Sequence, residues 1–125
     1  MITTTTDLTG AALDWAVATA IGAPFTTAPF STDWNLGGPL LEKHGIGFHR
    51  NSVRVYANDD KRWEAHRTVN LDEPPVLRHG YKAHGSTPLI AGLRVLVRSK
   101  IGATVDVPAR LGLTPEGNPI DGNPA

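Results

Sequence analysis

Apolar residues recur at helical spacing in two stretches of this chain and alternate at strand spacing between them. That order predicts a helix, a long loop, a few short strands and a second helix. In the first stretch Leu8, Ala12, Trp15, Ala16 and Thr19 share one stripe, widened by Leu13 and Val17. A helix over about residues 9–21 follows, with Thr9 as its cap, Leu8 stapled to Leu13, Trp15 in the core and Gly22-Ala23-Pro24 as its stop. The second stretch opens at Thr87, with Pro88 in the first helical position, and its apolar face is Leu89, Ile90, Leu93, Leu96, Val97 and Ile101. Arg94, Arg98 and Lys100 are read as lying off that face, and Gly102 ends the helix.

Between the helices the period changes. Residues 23–39 hold Pro24, Pro29, Pro39 and Gly37-Gly38, so they read as irregular backbone with one short turn at Trp34–Leu36. A second short turn is expected to start at Pro39 and to close at Gly45. From Ile46 the alternation is two: Ile46 and Phe48, then Val53, Val55 and Ala57 beyond an Arg50-Asn51-Ser52 break. Asn58-Asp59-Asp60 is a turn, and Trp63, Ala65 and Val69 form the next strand with Glu64, His66 and Thr68 on its other face. Val76-Leu77 and Val105 with Val107 suggest two more short strands, while residues 1–6 and 79–86 read as loose lead-in and loop. The expected fold is α+β, a small antiparallel sheet with two main helices packed on one face. Residues 1–111 form the single domain, and 112–125, rich in proline and glycine, form a flexible tail. So small a sheet leaves edges open, which points to a homo-oligomer, most simply a dimer.

Composition narrows the function classes. The chain has 125 residues and no cysteine, which removes disulfides, thiolate metal sites and cysteine nucleophiles and fits the cytoplasm. The first residues show no secretory signal, and no apolar run is long enough to span a membrane. Twelve basic and twelve acidic residues balance, which argues against nucleic-acid binding. From Lys43 to Lys82, however, eight Lys/Arg stand against five Asp/Glu, and four of the five histidines fall there, with His84 just beyond. That bias favours a small anionic ligand or an acidic patch on a partner.

Three segments then stand out: Leu8-Thr9-Gly10-Ala11-Ala12-Leu13-Asp14-Trp15-Ala16-Val17-Ala18, Phe30-Ser31-Thr32-Asp33-Trp34-Asn35-Leu36-Gly37-Gly38-Pro39-Leu40-Leu41-Glu42 and Gly85-Ser86-Thr87-Pro88-Leu89-Ile90-Ala91-Gly92-Leu93-Arg94. In this order and spacing they resemble the NinX-like proteins of tailed bacteriophages, small proteins of unknown function, over roughly residues 8–108. The chain departs from that pattern at Gly85-Ser86-Thr87-Pro88, where such proteins tend to carry Gly-Pro-Thr-Pro, and in its longer basic middle and added tail. The resemblance implies a phage product working in the host bacterial cytoplasm. It implies no reaction and no catalytic residue.

Candidate chemistry comes from two loops. Thr32 and Asp33 offer oxygens, Trp34 a flat face, and Gly37 and Gly38 backbone amides that a ligand can approach. Against this stands a capped turn with a buried tryptophan. Ser86 and Thr87 at the start of the last helix offer amides to an anion, against which plain capping is the stronger account. Trp63 is either a stacking face or core, and Arg94 is a cation placed to meet a phosphate. No GxxxxGK, GxSxG or HExxH pattern is present, so neither a P-loop, a serine hydrolase nor a metal site is expected, no cofactor is implied and an enzyme is not expected. The leading reading is a phage accessory binding protein that captures a small anionic, nucleotide-like molecule such as a host defence signal. The alternative is an interaction protein that inhibits a host protein, and nucleic-acid binding is weaker. A concave pocket at the loops would favour the first, an exposed apolar patch the second.

Overall fold

Helix α3 (Pro88–Lys100) begins as its sequence requires: the Thr87 hydroxyl accepts from the Ile90 N–H at 3.0 Å and Pro88 follows. Every residue from Ala91 to Val97 is buried, so α3 is wrapped on all sides rather than lying on a surface. The computed structural model describes residues 2–23, 28–51, 59–70 and 78–108. Among these, two further helices, α1 (Gly10–Ala20) and α2 (Trp34–Lys43), pack on α3. The strands are β1 (Ile2–Thr4), β2 (Gly47–Arg50), β3 (Trp63–Asn70), β4 (Arg78–Gly85) and β5 (Thr104–Asp106).

They make two antiparallel sheets, β1 with β5 and the meander β2-β3-β4. Register pairs His49 with Glu64 and Glu64 with His84, and one step away Phe48 with Ala65 and Ala65 with Ala83. Ala65 and Ala83 are buried against α3, which packs on β3 and β4; their face is the inner one. The expected α+β class with a small antiparallel sheet holds. Leu89, Leu93, Leu96 and Val97 of α3 meet Leu13, Val17, Leu41 and Ile46 in one core. Trp15, expected inside, is only partly buried at its margin.

Three departures have physical causes. Residues 1–6 are not loose: β1 pairs Thr3 with Val105, and the buried Thr5 hydroxyl donates to the Gly102 carbonyl at 2.7 Å. No local pattern announces a strand whose partner is some hundred residues away. The expected turns around Pro39 are instead the single helix α2, with Pro39 inside it. A Cβ on Gly37 would lie 2.6 Å from Leu89 Cδ1, and one on Gly92 would lie 2.6 Å from Leu41 Cδ2. The two glycines let α2 and α3 touch closely, and that contact offsets the backbone bond lost at Pro39. Finally, residues 79–86 are mostly strand β4 rather than loop. The two-residue period is there, with Tyr81 and Ala83 toward α3 and Lys82 and His84 away, but glycine and histidine mask it. The expected strands at Val53–Ala57 and Val76-Leu77, the end of the domain at residue 111 and the tail lie outside the described residues.

Candidate functional site

The loop before α2 is pinned from below. Asp14 of α1 accepts the Ser31 N–H at 2.8 Å, and Asp33 caps α2 by accepting from the Asn35 N–H at 2.9 Å. Burial pushes the Asp14 carboxyl above its ordinary range, against the pull of its bonds to Ser31. This bracing puts Trp34 in the first helical position, 49% exposed, with Gly38 one turn on and its Cβ position 3.4 Å from the indole Cε3. The indole therefore rests against a residue with no side chain.

Trp34 does not stand alone. Its ring lies 6.3 Å from that of Phe48 on β2, and Phe48 lies 6.0 Å from Trp63 on β3, edge to face. Phe48 is 41% exposed while Trp63 is partly buried and packs against the core, so the three rings form an aromatic ridge that is open at Trp34 and Phe48. Arg50 is the register partner of Trp63. Asn51 donates to the Arg62 carbonyl at 2.8 Å, which makes Arg50–Trp63 a non-bonded pair, the type whose side chains come closest. The ridge is thus flanked by an exposed cation.

The nine residues singled out from the sequence divide as follows. Trp34 and Trp63 meet through Phe48. Thr32 is exposed at the loop, while the oxygens of Asp33 and Thr87 serve as helix caps. Ser86 follows Gly85, the register partner of Trp63, so the start of α3 adjoins the ridge. Gly37 and Gly38 are not loop amides; they lie inside α2, where the Gly37 N–H donates to the Asp33 carbonyl at 2.9 Å.

Arg94 requires a correction. It is 4% exposed rather than on an open face. Its Nε donates to the Leu8 carbonyl at 2.7 Å, and Nη1 to the His84 carbonyl and the Asp60 carboxylate, both at 2.8 Å. Because α3 is surrounded through its middle, it has no off-stripe position there, and a long cation so placed becomes a structural tie.

Phe48 and Arg50 were missed. Phe48 was legible as a strand residue, but an apolar residue on an inner face reads as core unless its strand is known to be an edge. The histidines do partly converge: His49, His66 and His84 lie on the outer face, with Glu64 3.0 Å from His49 and 3.8 Å from His84. Among the described residues no group of three side chains is arranged to hold a metal ion. A concavity of about 190 Å³ lined by Thr6, Asp7, Asp60, Lys61, Lys82 and His84 includes none of the nine.

Among the described residues no helix is long and apolar enough to cross a membrane. No curated protein matches the chain. The family model described as Bacteriophage P22, NinX matches residues 25–100, a span that runs from the loop before α2 to the last residue of α3 and takes in every ring of the ridge. The chain belongs to that NinX family of bacteriophage proteins.

Proposed function

We propose that the chain is a non-catalytic recognition module, made by a phage and acting in the host cytoplasm, whose contact surface is the Trp34–Phe48–Trp63 ridge and whose partner is a host protein. The observation that carries this reading is the exposure of Trp34 and Phe48 at 49% and 41%, on rings whose centroids lie 6.3 Å apart. Aromatic side chains clustered at an open surface are the usual anchors of protein interfaces, where burial of each contributes strongly. Asp33, Gly38 and the Asp14–Ser31 bond are the scaffold that holds the first anchor in place.

A second reading has one observation in its favour. Arg50 beside Trp63 is the pairing that a flat, anionic, nucleotide-like ligand would use, with the base on an indole and the phosphate on the guanidinium. In this version Arg50 takes the part that the sequence assigned to Arg94.

Affinity capture from infected host cells separates the two. Wild type should retain a host protein that Trp34→Ala and Phe48→Ala each lose, while calorimetric titration with cyclic and linear nucleotides gives no heat. Nucleotide binding that weakens in Arg50→Ala, without any protein retained, would replace the first reading by the second.

A further inference from the structure

The two edges of the three-stranded sheet are finished differently. The Asn51–Arg62 bond sets the phase between β2 and β3, so Gly47, His49 and Asn51 turn their N–H and C=O toward β3, and Phe48 and Arg50 turn theirs away. Carried through β3, the same alternation turns the His84 carbonyl outward at the far edge, where Arg94 takes it. Among the described residues nothing takes the N–H and C=O of Phe48 or Arg50. An open row of backbone donors and acceptors therefore runs beside the aromatic ridge, and the residues that own it are ridge residues.

We propose that β2 is a docking edge for an extended segment of the partner protein, which adds a strand there and carries an apolar side chain flanked by acidic ones. This rests on the ridge being the contact surface. Strand addition takes its affinity from main-chain bonds and its selectivity from alternate side chains. An added strand would bond to Phe48 and Arg50, and every second side chain would fall on the face that holds Phe48, Trp63 and Trp34.

Charge selects the occupant. Arg50 and Lys61 are exposed at the end of β2, and of the described carboxylates beside them Glu64 meets His49 and Asp60 meets Arg94. Glu42, exposed, precedes β2 and has Lys43 next to it. Two copies of the chain joined edge to edge would bring two sets of those cations onto one seam, whereas an acidic segment neutralises one set.

The test uses the full chain, isotope-labelled, and peptides selected on it from a displayed random library. Selected peptides should alternate apolar and acidic residues. On binding, amide exchange at Phe48 and Arg50 should slow by about tenfold or more, and at His49, already bonded within the sheet, it should change little. Arg50→Pro should weaken binding by about tenfold or more while Arg50→Lys keeps most of it, because proline removes a donor that the sheet itself does not use. Should the proline variant not fold, the exchange comparison decides alone. Peptides that need Trp34 yet leave the Phe48 and Arg50 amides at their free rates would overturn strand addition and leave the ridge reading standing. Peptides indifferent to Trp34→Ala would remove both. Recovery of no peptide would overturn strand addition. So would protection of the two amides in the protein alone that falls on dilution, which would give the edge to a second copy.

Discussion

Arg94 and Asp60 form an ion pair at 2.8 Å that runs from core to surface, the arginine side chain 5% exposed and the aspartate 55%. The two ends should differ in cost. Arg94→Ala removes a buried donor from the Leu8 and His84 carbonyls and leaves a cavity, so a loss of about 3 kcal/mol or more is expected in urea unfolding. Asp60→Asn keeps an acceptor at a solvated position and should cost about 1 kcal/mol or less. Equal small losses would mean that the guanidinium is not tying these segments together.

Trp34 and Leu93 provide the contrast between surface and core. Leu93 is fully buried, and Leu93→Ala should cost roughly 2–5 kcal/mol. Trp34→Ala should cost about 1 kcal/mol or less, with a melting temperature close to wild type. A loss of several kcal/mol at Trp34 would make the ridge an extension of the core and deprive it of a role in recognition.

Alanine at two glycines should have unlike effects. At Gly37 the new methyl would meet the Phe30 carbonyl at 2.5 Å and Leu89 at 2.6 Å, and a backbone atom cannot step aside, so about 1–3 kcal/mol of stability should be lost. At Gly47 the nearest atom is Cε1 of the exposed His66 ring, which can rotate away, and the change should be small. Thermal melts of both variants check the ranking.

The Asp14 carboxyl makes an unusual prediction about pH. Its folded pKa is raised above the ordinary 3.8 by burial, so the folded state holds the proton more tightly than the unfolded chain. Its contribution is complete below the unfolded value and is lost as pH rises through the higher folded one. At neutral pH Asp14→Asn keeps an acceptor for the Ser31 N–H without a buried charge, so it should match or exceed wild type in melting temperature. A marked loss in the variant would show that the charge itself strengthens that bond beyond its desolvation cost.

What could be read from residues alone follows from how local each signal is. α3 was legible nearly to the residue, because Thr87, Pro88 and Gly102 are signals carried by neighbours in sequence. The start of β3 and the strand at Val105 were legible for the same reason. β1 was not, since Ile2–Thr4 becomes a strand only by meeting Thr104–Asp106. Nor was the burial of Arg94: charge placed it outside, and only the position of α3 amid two helices and a sheet puts it inside. Of the ridge, Trp34 and Trp63 were named but not joined. Joining them takes Phe48, whose exposure depends on β2 being an edge, and edge or centre is a property of the sheet rather than of the strand.

The pairing of β1 with β5 has a consequence for how the chain is made. Ile2 lies opposite Asp106, and Thr5 bonds to Gly102 and Ala103, so residues 2–5 depend on partners roughly a hundred residues further along the chain. Until β5 emerges, β1 lacks its strand partner among the described residues, and a nascent chain carries this edge unsealed while everything between them is made. The same pairing brings residues 2 and 106 side by side, so a short bridge could join them in a circular permutant of residues 2–106. A circular permutant opened at Gly22, exposed just past α1, would place both partners of this small sheet next to each other in sequence and should seal it early rather than last.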